Sequence, residues 1–226
     1  MHVERLSAED HKRVTAAVAE AERGSDGEIV TIVADRSDAY HDVGLHYAVA
    51  AMLLVPALFA VFPGCVIALF DRFSGGWTGE PSLSAVMIAL FVVTAIAFLA
   101  VRYALAWMPL RLALTPKATK ARRVRRRAVL CFKVGAERRT HGRTGILIYL
   151  SLGEHAAEIV ADEAIHDKVA PEVWGDAMVA LIDHVRAGRT AEGMAAAVAR
   201  VGAILREHFP RDDENPNELP DRLIEL

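Results

Sequence analysis

The chain has two cysteines in 226 residues, Cys65 and Cys131. One lies in an apolar run and the other in a basic run, so no disulfide framework is expected. Common catalytic signatures are missing too. There is no Walker A phosphate loop, no Gly-x-Ser-x-Gly, no His-Glu-x-x-His and no Cys-x-x-Cys. Nucleotide hydrolysis on a phosphate loop, serine esterase chemistry, zincin proteolysis and dithiol exchange therefore have no support. Acidic residues are absent from position 81 to position 136. Charge of either sign is absent from residues 44–70 and again from 83–101. The first 43 residues are rich in charge, so they lack the early apolar core of a signal peptide.

What is present is organised around those two uncharged runs, 27 and 19 residues long. A spanning helix needs about 20 apolar residues to cross a hydrocarbon core of ~30 Å. Residues 71–82 between them carry Gly75, Gly76, Gly79 and Pro81, the composition of a turn. We expect a transmembrane helical hairpin at 44–110, with spans at about 44–70 and 83–106. Pro56, Pro63 and His46 in the first run are ordinary for such a helix and do not argue for transport. Lys117, Lys120, Arg122, Arg123, Arg125, Arg126 and Arg127 follow the second span, whereas the turn holds only Arg72. That asymmetry orients both termini to the cytoplasmic side of a bacterial inner membrane, as a multi-pass protein.

The flanks read as one domain. Ser7 with Asp10 three residues on marks a helix start, and Val14, Val18 and Ala21 recur at helical spacing. Residues 28–34, β-branched and apolar throughout, predict a strand covered on both faces. Residues 144–150 predict a second such strand and 156–161 a third, joined to the second by a turn at Gly153. Strands one and two should run parallel, and two and three antiparallel. Two helices follow, on Trp174 to Val185 and on Met194 to Leu205. The expected fold class is α/β, a small mixed sheet with helices on both faces, interrupted by a two-helix transmembrane hairpin. Its parts are 1–43, the hairpin 44–110, a basic juxtamembrane segment 111–127, the second domain part 128–210 and an acidic tail 211–226. The tail reads either as solvated or as docked through Leu219, Leu223, Ile224 and Leu226.

Several segments together resemble the TPM domain family, named for thylakoid-lumen, photosystem II repair and receptor-modulator members. They are Arg143-Thr144-Gly145-Ile146-Leu147-Ile148, the run from Glu158 to Ile165, the Trp174 helix, His208-Phe209-Pro210, and Ser25-Asp26-Gly27-Glu28-Ile29-Val30. The tail from Asn217 to Arg222 is similar to a bacterial branch in which a membrane hairpin splits the domain. The resemblance implies an α/β sandwich, and either assembly, repair or receptor-modulating roles or an acid phosphatase activity.

Asp162, Glu163, His166 and Asp167 form the densest polar cluster, and a carboxylate at a strand end suits Ca²⁺ or Mg²⁺. Acids also gather at helix starts for dipole reasons. Glu28 and Arg143 each precede an inner strand and are placed to pair. Asp35 and Asp38 follow strand one and would join Asp162 if the strand ends coincide. Asp162, Glu28 and Arg143 are the catalytic candidates; Asp162, Glu163, His166 and Asp167 the metal candidates. The seven cations from Lys117 to Arg127 are candidates for binding anionic lipid. No aromatic residue interrupts that run, so nucleic acid is not the expected partner. The resulting expectation is a membrane-anchored, cytoplasm-facing interaction or membrane-protein assembly and repair module, with membrane lipids and a membrane protein as partners. The alternative is a weak metal-dependent phosphatase.

Overall fold

The computed structural model describes residues 6–64, 68, 72, 82–135, 144–211, 219 and 221–226. The chain divides into two compact units, one built from residues 1–39 and 116–226 and the other from 40–115.

The first unit is a four-stranded mixed sheet with helices on both faces. In chain order its elements are α1 (Ala8–Glu22), β1 (Glu28–Ala34), then α5 (Lys117–Gly135), β2 (Gly145–Ser151), β3 (Ala156–Ala161), the single turn α6 (Glu163–His166), α7 (Gly175–Arg186), α8 (Thr190–His208) and β4 (Ile224–Glu225). The strand order is β3-β2-β1-β4. β1 and β2 pair in parallel over their full length, from Glu28 opposite Gly145 to Ala34 opposite Ser151. β2 and β3 are antiparallel, as the short turn between them requires. α1 starts where the sequence places it: the Ser7 hydroxyl accepts from Asp10 N while the Asp10 carboxylate accepts from Ser7 N.

Every residue of β1 and β2 is buried. Alternation divides them between two cores. Ile29, Val33, Ile146, Ile148 and Leu150 pack with Val14 and Val18 of α1, Leu181 of α7 and Met194 and Val198 of α8. Val30, Ile32, Ala34, Leu147 and Tyr149 pack with Val124, Ala128 and Phe132 of α5. On the first side α1 and α8 approach closely, because a Cβ on Gly202 would lie 2.5 Å from the Ala21 Cβ.

One element differs from the sequence reading, and another decides between two readings left open there. The basic segment does not end where the domain resumes. Lys117 to Gly135 is one helix, and its apolar residues at every fourth position cover the second face of the sheet. Seven cations had masked that stripe. The tail is docked rather than solvated at its end: Leu219 and Leu223 are buried, and Ile224–Glu225 extends the sheet parallel to β1.

The second unit holds α2 (His41–Val61), α3 (Leu83–Ala104) and α4 (Met108–Leu114). α2 starts three residues before the uncharged run and ends at Val61, ahead of Pro63, so it is shorter than the run itself. α3 is capped by Ser82, whose hydroxyl accepts from Ala85 N. The two helices pack antiparallel, with Gly44 near the start of α2 facing Leu105 at the end of α3. At 21 and 22 residues both are long and apolar enough to cross a membrane. Their outward residues include Leu53, Leu54, Ile88, Phe91 and Ile96, all about half exposed or more. Arg111 is 3% exposed, and its Nε donates to Leu105 O at 2.6 Å. It latches α4 to the end of α3.

The α5 stripe gives a direct expectation. Phe132→Ala should destabilise the domain by about 3–5 kcal/mol through lost burial and a cavity. Arg126→Gln, on the outer face of the same helix, should change stability by less than about 0.5 kcal/mol. Thermal unfolding of both variants in detergent checks this; equal effects would remove α5 from the core.

Candidate functional site

Parallel pairing of β1 with β2, and antiparallel return of β3, bring three strand ends together. Glu28 opens β1, Gly145 opens β2, and Asp162 follows β3. Two of the sequence candidates, Glu28 and Asp162, therefore flank Gly145 at one end of the sheet. Both are buried, at 5% and 6% exposure. Asp162 Oδ2 accepts from Gly145 N at 3.1 Å, and Asp162 N donates to Gly145 O at 2.9 Å. Glu28 Oε2 accepts from Leu219 N at 3.2 Å. The carboxylates are turned onto backbone N–H groups, that of Gly145 at the start of β2 and that of Leu219 in the C-terminal segment.

The rest of the acidic cluster faces elsewhere. Asp162 stands at the N-cap position of the single turn α6 with its side chain bonded to Gly145 N instead, and Glu163, His166 and the following Asp167 are exposed. Among the described residues no group of three or more His, Cys, Asp or Glu is arranged to hold a metal ion. Arg143 lies outside the described residues. Asp35 and Asp38 do not join Asp162. They follow the other end of β1, a strand length of about 20 Å away. There Asp38 pairs with Arg123 at 3.0 Å, and Glu154 accepts from Ser37 N at 3.0 Å.

The residue that sequence reasoning missed is Glu22. It follows Val14, Val18 and Ala21 on the buried stripe of α1, and that spacing was the available signal. Its Oε1 accepts from Ile29 N at 2.7 Å, while Oε2 is buried without a partner among the described residues. Burial, with the Glu28 and Asp221 charges beside it, pushes its carboxyl up to about 8, against the pull of the Ile29 N–H. Glu22 and Glu28 line a cleft of about 250 Å³ with Ser25, Arg23, Arg211 and Asp221. The cleft thus holds a carboxyl raised to about 8, able at neutral pH to donate a hydrogen bond or a proton. Cys131 is half-buried, and burial raises its thiol, so it is not poised as a thiolate.

α5 presents the second candidate surface. Lys117, Arg122, Arg125, Arg126 and Arg127 are exposed, Lys120 is partly exposed, and Arg123 is occupied by Asp38. Arg122, Arg126, Leu130 and Val134 recur every four residues on the side away from the core, and Leu130 and Val134 are 52% and 68% exposed. The surface combines positive charge with aliphatic side chains.

Fold and sites together define an α/β domain interrupted by a pair of apolar helices. No known family description and no curated protein matches the chain. Among solved structures it is similar to the NMR structure of BA42 protein from the psychrophilic bacterium Bizionia argentinensis. The two share 17% identity and a TM-score of 0.57, over 100% of this chain and 99% of that one. At that identity the likeness concerns the fold.

Glu22 makes stability depend on pH. Its carboxyl takes up a proton on folding wherever the unfolded chain is ionised, so the folded state binds more protons between pH 4.5 and about 8. Stability is therefore fully present below the unfolded value and falls as pH rises through 8. Glu22→Gln removes that titration while keeping an acceptor for Ile29 N. The variant should gain on the order of 1–3 kcal/mol over wild type at pH 9 and little at pH 4. Thermal unfolding in detergent at both pH values reads the difference, and parallel profiles would contradict the assignment.

Proposed function

We propose that this chain is a membrane-anchored module of the TPM type that acts by contact, in assembly or repair of a membrane-protein partner. In this reading the hairpin sits in a bacterial inner membrane, and both termini and the α/β domain are cytoplasmic. One observation carries the proposal. A single sheet is built from segments on both sides of an insertion whose two helices are apolar, long and exposed. A soluble protein would bury such helices; only 17% of the best apolar window of α2 and none of that of α3 is buried.

The exposed face of α5 supports a lipid partner. It follows the second apolar helix in the chain, and each cation near an anionic leaflet contributes ~1 kcal/mol. Leu130 and Val134 on the same face suit the boundary between headgroups and acyl chains. The protein-contact role is favoured by what the carboxylates do. Asp162 and Glu28 are turned onto the backbone, as structural acids are. The phosphatase alternative rests on the family resemblance and on the acidic cluster at Asp162, whose Glu163, His166 and Asp167 are exposed and form no metal-holding group among the described residues.

Orientation is the decisive property. In a chain with Cys65 and Cys131 replaced by alanine, Ser74→Cys should react with an impermeant thiol reagent in intact cells. Arg126→Cys should react only after the membrane is permeabilised. The reverse pattern would place the domain outside and remove the cytoplasmic reading.

A further inference from the structure

The cleft at the strand starts has walls of two kinds. Ala19, Glu22, Arg23 and Ser25 come from α1 and the turn after it, and Glu28 opens β1. The remaining wall is Arg211 and Asp221, from the part of the chain that follows α8. Asp221 lies in the segment that ends in β4, which pairs with β1 over only two residues. Leu219 N donates to Glu28 Oε2 at 3.2 Å, while Leu226 N donates to Val33 O and Asp35 N to Leu226 O, both at 3.0 Å. Leu219 and Leu223 are buried, and His11 Nε2 meets Glu225 Oε1 at 2.5 Å on the surface. A segment attached over so short a ladder opens at lower cost than the core of the domain.

Glu22 sits against that wall. Its Oε1 accepts from Ile29 N at 2.7 Å, and its Oε2 is buried without a partner among the described residues. Glu28 of β1 and Asp221 of the segment face it with negative charge. The cations around the cleft are engaged elsewhere. Arg23 pairs with Glu20, Arg211 Nη1 donates to Arg23 O at 3.4 Å, and the Arg206 side chain of α8 passes over Gly24. An ionised Glu22 would leave a charged oxygen without a hydrogen bond and set a third negative charge beside two others. The docked segment therefore favours the acid form. Lifting the segment takes Asp221 away and opens the cleft to water, where a carboxyl ionises in its ordinary range.

We propose that residues 219–226 are a proton-coupled strap: lifting it from β1 releases the Glu22 proton to water, and taking up that proton favours closure. The sign follows from the direction in which Glu22 is moved. With the carboxyl raised from 4.5 to about 8 in the docked form, the strap is held most firmly below pH 4.5 and loosens as pH rises toward 8. Above that range Glu22 is ionised in both arrangements and the dependence ends.

Hydrogen exchange of the full-length chain in detergent, corrected for the intrinsic pH dependence of exchange, tests this at pH 5 and pH 8. The amides of Leu219 and Leu226 report the strap, and those of Leu147 to Tyr149 report β2. In the wild type the strap amides should be less protected than β2 at both pH values, and their protection should fall about tenfold or more from pH 5 to pH 8. In Glu22→Gln, which keeps an acceptor for Ile29 N, protection of the strap should stay level within about twofold. Glu22→Met, uncharged and without that acceptor, should hold the strap less firmly but equally at both pH values. Strap amides as protected as β2 would show that the segment lifts only when the whole domain unfolds, and would overturn the proposal. So would a fall in either Glu22 variant equal to that of the wild type.

Discussion

The parallel pairing of β1 with β2 is the constraint on which the molecule depends. These strands are adjacent in the sheet, yet the entire second unit lies between them in sequence. Each is buried on both faces, so neither is stable without the other and without helices on two sides. α1, α7 and α8 close one side and α5 closes the other. Asp38, just before the chain leaves the domain, pairs at 3.0 Å with Arg123 of α5, the helix by which it returns. An insertion is tolerated at that place because the cost of closing a loop grows only slowly with its length.

The same pairing decides which acids meet. It gathers Glu22, Glu28, Asp162 and Asp221 toward the starting end of the sheet and sends Asp35 and Asp38 to the other. The gathered carboxylates are held by N–H groups of Ile29, Leu219 and Gly145. They tie α1, the C-terminal segment and β3 to the strand starts. This end of the domain is tied together by backbone bonds, and beside them burial raises the Glu22 carboxyl to about 8. The outer face of α5 is different in kind: its side chains face solvent, carry charge of one sign, and include two exposed aliphatics.

Much of the fold was legible in the sequence because its signals are local. Apolar runs rich in β-branched residues marked β1 and β2, and the turn at Gly153 marked β3. The capping residues Ser7 and Asp10 marked α1, and two uncharged runs marked α2 and α3. α5 was not legible as a helix because Val124, Ala128 and Phe132 are sparse among arginines. β4 was not legible because two paired residues carry no periodicity, and only the open edge of β1 gives them a place. Glu28 and Asp162 were legible as candidates from their positions at strand ends. Their engagement with backbone N–H groups depends on register, which single segments do not encode. Glu22 was hidden by its charge, although it continues the buried stripe of α1.

The central claim is that residues flanking the apolar insertion form one cooperative domain. It is tested most directly by replacing residues 40–115 with a flexible linker of about eight residues, a reach of up to about 28 Å, and recording thermal and urea unfolding of the product. The account predicts a soluble protein that unfolds in one cooperative transition, with the same midpoint change on Phe132→Ala as in the full chain. A product with no cooperative transition, or one insensitive to Phe132→Ala, would contradict it.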